Sequence, residues 1–430
     1  RLIEPLVKWA HQTGSISSMY QQVVSAGEMA QRSPEGPTYL SVPIEVMMQP
    51  WSPPNELRNA PEAPTVTATP SDISIICEML LAAKNPAIIT GESGRTPEGY
   101  AALIDLAETL AIPVVEGRFA PYANFPKDHP LYLGGGRPAI VDDADLIVLI
   151  ATRQPWYPLS NTPKKARIVN IDETPFRDHV VYQPSSAERF LEGDVAANLA
   201  LLVDALKAAK TDHDAVTKRR TQWNEAAEIR HAEAVAHITD ARAQATISPA
   251  LLVATLSEMA PAGTIFVDET ITHRPAIIGH LKTDGPTSYF RVHGGLGQAM
   301  GVALGAKLAA PDQMVITTLG DGTFLYNPAV QALAFARTNN LATLTVIFNN
   351  HGYNAMRKDQ EGYFPDGVAA KNNLWLGHPI TEFDYAELAN PFGAFGATIE
   401  TPAELPATIQ AAFAAIAEGR SALLNVMLNA

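Results

Sequence analysis

Asp321 stands between two glycines in the stretch LGDGT, directly after the apolar run MVITT, and Asn350 closes a second apolar run, LATLTVIFNN, 29 positions later. Both side chains offer oxygen, and both fall where strands of an α/β sheet end, the edge at which ligands gather. A glycine beside Asp321 permits close backbone approach, and the amides that open the next helical stretch form a natural phosphate cradle. An aspartate in that cradle repels phosphate unless a cation lies between them. Mg²⁺ suits the role, because it takes oxygen ligands and is held by one or two protein groups together with phosphates and water. Asn350 supplies a second oxygen, and a carbonyl just beyond it, in His351-Gly352-Tyr353, a third. A Gly-Asp-Gly turn or an Asn-Asn pair alone is ordinary turn chemistry. Bracketing one helix-plus-strand unit, the two read as half of a diphosphate–metal site.

The elements that must position such a site can be read from composition and periodicity. A chain of 430 residues exceeds one ordinary core and implies two or three domains. With 47% hydrophobic and 18% charged residues the composition is globular, which excludes a disordered chain. A net charge of −14 argues against a nucleic-acid partner, which would want basic patches. Cys77 is the one cysteine, which excludes an internal disulfide and a cysteine-based metal site. No apolar run reaches the length of about 18 residues that a membrane-spanning helix needs. The first residues, RLIEPLVKWAHQ, lack a secretory n/h-region pattern and begin as though within a domain. A cytoplasmic protein without membrane partners is expected.

Residues 1–53 hold a helical stretch, SISSMYQQVVSAGEMAQRS, a turn at Pro34–Pro37 and an expected strand, TYLSVPIEVM. One helix and one strand cannot build a core, so this piece reads as the C-terminal remnant of a larger domain. A Pro-rich linker covers 54–70. From 71 to 208 the strands NPAIIT, IPVVEG, ADLIVLI and ARIVNID alternate with helices such as PEGYAALIDLAETLA. A charged helical linker fills 209–247, and 248–430 repeats the rhythm with GTIFVDE, QMVITTLG, LATLTVIFNN and SALLNVML as strands. Short β-rich runs alternating with helices predict the α/β class, with successive three-layer domains and mainly parallel sheets.

Two competing patterns are weaker. His231, Glu233 and His237 lie in the charged linker at spacings, i+2 and i+6 from His231, that do not bring all three well onto one helix face, so a solvated helix is expected there rather than a metal site. Gly295, Gly297 and Gly301 in GGLGQAMG loosely mimic a dinucleotide fingerprint. That fingerprint wants a good strand before it and an acidic residue closing the next one, and SYFRVH and Asp321 meet neither condition. A nicotinamide-dependent dehydrogenase is therefore disfavoured.

Gly-Asp-Gly followed by Asn-Asn resembles the signature of the thiamine diphosphate-dependent enzymes, and the resemblance runs from about Lys8 to the C-terminus. GPTYLSVPIEV resembles the end of that family's pyrimidine-binding domain, HPLYLGG lies in a stretch similar to its Rossmann-like central domain, and 248–430 is similar to its diphosphate-binding domain. VDETITHRPAIIGHL, the GGLG stretch and NNHGYNAMR look most like the benzoylformate decarboxylase and acetolactate synthase group. The resemblance implies that Asp321, the Asn350 side chain and the Gly352 carbonyl bind Mg²⁺ or Ca²⁺. Gly322 and Thr323 would face the diphosphate, as would Thr270 and Thr272, with Gly320 and Tyr353 also contacting the cofactor. Leu296 would be the bulky apolar residue that bends the cofactor, flanked by Gly295, and Gly294 would accept a hydrogen bond from the cofactor's amino group through its carbonyl.

The implied reaction is decarboxylation of a 2-oxo acid, ending in aldehyde release or in ligation to a second carbonyl. The family's catalytic glutamate belongs to the pyrimidine-binding domain of a neighbouring subunit, and no residue here matches it. A homodimer or homotetramer is implied, with the front of that domain expected from an absent segment or a separate chain. His293 and His351 are weak candidates for proton relay, and His273 follows the DETIT stretch. Tyr353, Ala355 and Met356 are expected to border the substrate pocket. Where the decarboxylase branch has a central-domain histidine, this chain has Trp156, Tyr157 and Pro158, a departure that weighs against benzoylformate itself. FAD, bound in the central domain of the acetolactate synthase branch, is disfavoured because Glu92 of GESGRT would sit beside its phosphates. A non-catalytic homologue that keeps only the cofactor cradle is the remaining alternative.

Overall fold

The computed structural model describes residues 2–58, 61–136, 138–176, 186–292, 294–375, 377–380 and 383–429. The N-terminal portion pairs two short parallel strands, β1 (Trp9–Gln12) and β2 (Thr38–Ser41), around the helix α1 (Ile16–Gln31). The expected strand TYLSVPIEVM is shorter than its apolar pattern suggests. It ends at Ser41, and Ile44–Met47 forms a short helix, α2, because Pro43 offers no N–H to a ladder and its fixed φ of −60° suits the position before a helix. Among the described residues up to Arg58 only Thr13 and Val46 are buried, so this piece has no core of its own.

A parallel six-stranded sheet follows, built from β3 (Pro86–Thr90), β4 (Val114–Glu116), β5 (Tyr132–Gly135), β6 (Leu146–Ile150), β7 (Arg167–Asp172) and β8 (Arg189–Glu192). Their spatial order is β5-β4-β3-β6-β7-β8. The helices α3 (Pro70–Ala82), α4 (Pro97–Leu110), α5 (Ala139–Asp143) and α6 (Val195–Ala208) cover the sheet. Every residue of β3 and β6 is buried, which is why these strands read as unbroken apolar runs rather than alternating ones. Their side chains divide between two cores. Ile88, Val148 and Val169 pack on one face, while Ala87, Ile89, Ile147 and Leu149 pack on the other.

The helix α7 (His213–Arg242) spans 30 residues between the two sheets. It has no continuous apolar stripe, but Val216 and Trp223 pack against the core of the first sheet, and Ile238 and Ala241 are buried in that of the second. Long cations add to the docking: Arg219 donates to the Leu110 carbonyl at 2.8 Å and Arg230 to the Pro130 carbonyl at 3.0 Å. His231, Glu233 and His237 are exposed on it, and among the described residues no three His, Cys, Asp or Glu side chains converge as metal ligands.

The second parallel sheet contains β9 (Ile265–Glu269), β10 (Tyr289–Arg291), β11 (Val315–Gly320), β12 (Leu344–Asn349), β13 (Phe395–Ile399) and β14 (Ala422–Met427), in the order β10-β9-β11-β12-β14-β13. Its helices are α8 (Pro249–Met259), α9 (Arg274–His280), α10 (Ala299–Ala309), α11 (Asp321–Tyr326), α12 (Ala329–Asn339), α13 (Asn354–Tyr363), α14 (Val368–Asn372) and α15 (Leu405–Ala417). Ser248 caps α8 as its sequence demands, its hydroxyl accepting from the Leu251 N–H. Phe266, Ile316, Val346 and Phe348 face one core, and Val267, Val315, Leu319 and Ile347 the other, giving three layers again. After β9 the chain adds β10 on one side and β11 on the other. That reversal is the switch point at which an open parallel sheet leaves a crevice beyond its strand ends. Glu269, Gly320 and Asn349 close the three strands that frame it.

Candidate functional site

Asp321 follows β11 and is the first residue of α11, buried to 3% exposure. Its two carboxylate oxygens are pinned separately: Oδ1 accepts from the Gly322 N–H at 2.8 Å and Oδ2 from the Gly352 N–H at 2.9 Å. Burial pushes its carboxyl pKa up, and these two backbone bonds pull it back. Both glycines are required by contact. A Cβ on Gly322 would lie 2.6 Å from the Tyr353 ring, and one on Gly352 would lie 2.8 Å from the His378 carbonyl. The sequence pattern therefore does bring the Asp321 turn and the Asn350 turn together.

The two asparagines that end the β12 region have different roles. Asn349 belongs to the sheet: its Nδ2 donates to Asn425 at 3.0 Å and its Oδ1 accepts from the His351 N–H at 3.1 Å. Asn350 donates through Nδ2 to His273 Nε2 at 2.9 Å, while its Oδ1 is buried with no hydrogen-bond partner. A buried carboxamide oxygen without a donor costs on the order of 1–3 kcal/mol unless something else fills the role. A cation would. The Gly352 carbonyl already accepts from the Asn354 N–H at 2.9 Å, which leaves its second lone pair as the expected third oxygen. His351 takes φ 59°, the left-handed turn that redirects the chain between Asn350 and Gly352.

Glu269 and Asn327 were missed by sequence reasoning, and they tie the two glycine turns together. Glu269, 2% exposed at the end of β9, accepts from the N–H groups of Gly297, Gln298 and Ala299 at 2.9, 3.0 and 3.1 Å. It thereby caps α10 and fixes the GGLG loop. Asn327 donates to Glu269 at 2.9 Å and accepts from the Met300 N–H at 3.1 Å, joining the end of α11 to the start of α10. Gly297 adopts φ 99°, and a Cβ there would meet the Tyr326 carbonyl at 2.3 Å. Held between Gly294 and Gly297, both at φ 99°, Leu296 stays 38% exposed. The hint in the sequence was the pair of acidic residues, Asp268 and Glu269, closing the apolar run of the strand IFVDE.

Other expected residues are placed less simply. Thr270 is turned to structural use: it is buried, and both its amide and its hydroxyl donate to Asp268 Oδ1, at 3.0 and 2.7 Å. The buried Asp268 carboxylate needs those donors, and it also takes Thr318 and Tyr289 hydroxyls at 3.0 Å each. The Gly322 amide is likewise held by Asp321. Thr272 is half-buried at the loop before α9, Thr323 is buried in the first turn of α11, Gly320 is half-buried at the end of β11, and the Gly295 carbonyl accepts from Gln298 at 2.7 Å. Tyr353 packs edge-on to Tyr326 at 6.5 Å, and Ala355 and Met356 open α13, with Met356 exposed. His293 lies outside the described residues. His273 stacks on Phe348 at 5.8 Å, and burial pulls its imidazole down to about 4, with the Lys358 charge adding.

The family description "Thiamine pyrophosphate enzyme, C-terminal TPP binding domain" matches residues 272–426, and "Thiamine pyrophosphate enzyme, central domain" matches residues 73–202. The chain belongs to the thiamine pyrophosphate enzymes. Benzoylformate decarboxylase of Pseudomonas aeruginosa is 26% identical over 96% of this chain and 75% of its own length. Acetolactate synthase isozyme 1 large subunit of Escherichia coli is 24% identical over 94% of this chain and 70% of its own. Among solved structures, benzoylformate decarboxylase from Polynucleobacter necessarius superposes with a TM-score of 0.76 at 21% identity, covering 99% of this chain and 76% of that one. A Rhodococcus jostii RHA1 4-hydroxybenzoylformate decarboxylase gives 0.75 at 22% identity, covering 100% and 77%. At such identities the structures establish the fold. With the matched domains and relatives, this thiamine pyrophosphate enzyme is a lyase or transferase of the decarboxylase and acetolactate synthase family.

Proposed function

We propose that the protein decarboxylates a 2-oxo acid with thiamine diphosphate and Mg²⁺, releasing an aldehyde or joining the remaining fragment to a second carbonyl compound. The observation that carries this reading is the buried, unpartnered Asn350 Oδ1, two residues before the Gly352 amide that pins the Asp321 carboxylate. These oxygens and the Gly352 carbonyl suit a hard cation that keeps diphosphate and water as its other ligands. When bound, the cofactor supplies a nucleophilic carbon and an electron sink.

In this reading Thr323 donates to the diphosphate, Leu296 presents its half-exposed side chain to the cofactor, and the Gly294 carbonyl accepts from the aminopyrimidine. Tyr353, Ala355 and Met356 border the substrate, and His351 is a candidate for proton relay. Residues 71–208 form the central domain and 248–430 the diphosphate-binding domain, with 1–53 belonging to the pyrimidine-binding domain. The active site lies between subunits of a dimer or tetramer.

A thermal-shift titration with thiamine diphosphate, with and without Mg²⁺, tests the reading beside Asp321→Ala. Cofactor at 100 times its dissociation constant adds about 2.7 kcal/mol of stability. A Mg²⁺-dependent rise in melting temperature that Asp321→Ala abolishes is the expected result, followed by CO₂ release from aromatic or short aliphatic 2-oxo acids. No shift in protein shown to be free of cofactor beforehand overturns it.

A further inference from the structure

A carboxamide has two ends of nearly the same shape, and only one of them can bind a cation. Which end of Asn350 faces the cleft is therefore decided by whatever holds the other end. In the structure that partner is His273, whose Nε2 lies 2.9 Å from Asn350 Nδ2. His273 is not a neighbour in sequence. It occupies the position before α9 on the loop after β9, and its ring lies against Phe348 at 5.8 Å with the planes 28° apart. Phe348 is two residues before Asn350 on the strand that delivers the ligand, so the imidazole and the carboxamide are referenced to the same piece of backbone. The backbone carbonyl of Asn350 is separately engaged, accepting from Asn354 Nδ2 at 3.2 Å. Oδ1 is left as the one polar atom of the side chain without a partner.

We propose that His273 is a positioning residue: by accepting from Asn350 Nδ2 it commits Asn350 Oδ1 to the cation of the diphosphate site. This rests on the cofactor reading above. Without the acceptor the carboxamide is free to turn, and its NH₂ end would face the metal. Groups that orient metal ligands in this way typically change metal affinity by about 10–100-fold when removed.

The test uses the full chain and two substitutions. His273→Phe keeps a ring against Phe348 and removes the acceptor, and His273→Gln offers an acceptor without the ring. For each, the Mg²⁺ concentration giving half of the thiamine diphosphate thermal shift is measured, together with the melting temperature without ligand. His273→Phe should raise the half-saturating Mg²⁺ at least about tenfold, and His273→Gln should recover part of that loss. In an Asn350→Asp background both ends of the ligand are oxygens, so His273→Phe should then change the Mg²⁺ requirement little. A structural role alone would persist in that background, and that result would overturn the inference. So would an unchanged Mg²⁺ requirement in His273→Phe while the parent protein shows a Mg²⁺-dependent shift. A parent protein with no such shift overturns the cofactor reading and this inference with it. Should His273→Phe fail to fold, His273→Ala carries the same comparison.

Discussion

Leu296 is a large apolar side chain that the fold leaves 38% exposed, although the loop carrying it is fastened by Glu269 and by close contact with Tyr326. A leucine kept for packing would be buried, and its truncation would cost several kcal/mol. A leucine kept for a ligand should show the opposite pattern. Leu296→Ala is expected to change the stability of the free protein by no more than about 0.5 kcal/mol. It should lower turnover by at least about tenfold, equivalent to ~1.4 kcal/mol of barrier. Chemical denaturation beside steady-state kinetics separates the two, and a large stability loss would return Leu296 to the core. Gly297 tests the same loop from the backbone side. A Cβ there would sit 2.3 Å from the Tyr326 carbonyl at a φ of 99°, so Gly297→Ala should lower stability by at least about 1–2 kcal/mol and weaken cofactor binding with it.

At the scale of elements, one carboxylate joins a strand, a loop and two helices. Glu269→Ala would strip the acceptor from three N–H groups at the start of α10 and from the Asn327 amide. Each donor left buried and unpaired costs about 1–3 kcal/mol before relaxation. An overall loss of about 3 kcal/mol is expected in denaturant titration, with Glu269→Gln losing less because it keeps one acceptor. The sequence showed which strands are buried on both faces, because β3, β6, β11 and β12 each carry an unbroken run of apolar or β-branched residues. It did not show β5, β8 or β13, which lie outside the centre of their sheets and have little apolar pattern of their own. Asp321 and Asn350 were legible because their types and their places at strand ends are local facts. Glu269 and Asn327 were not, because their partners lie 27 to 58 positions away and meet them only after the sheet has formed. The contacts of Thr270 were hidden for a similar reason: its hydroxyl donates to a carboxylate two residues back, a use that composition does not distinguish from a phosphate contact.

At the scale of the whole molecule, the two sheets are held together by contacts that neither could make alone. Lys127 of the first α/β unit donates to the Ile277 carbonyl of α9 at 3.3 Å and lies over the Tyr289 ring at 5.3 Å. The Arg291 N–H donates to the Pro121 carbonyl at 2.7 Å. The long helix α7 adds a titratable contact, with His237 stacked on His280 at 5.8 Å and 29°. Burial pulls His280 below the ordinary histidine value of 6.5, and the charge of His237 lowers it further. The consequence for stability has a definite sign. Above about pH 6.5 both the folded and the unfolded chain hold this imidazole neutral, and it contributes no pH dependence. Below that pH the unfolded chain takes up a proton that the folded chain resists, so stability falls as pH drops toward the depressed folded value. His273 acts in the same direction over its own window, from 6.5 down to about 4. His280→Gln should therefore reduce the loss of melting temperature between pH 7.5 and pH 5.5 without removing it. His237→Gln should reduce it less, because the larger cause at His280 is burial, which that substitution leaves in place. Melting curves for the three proteins across that range, recorded without cofactor or metal, give the answer. Equal slopes in all three would mean that His280 carries no differential protonation between the folded and unfolded chain.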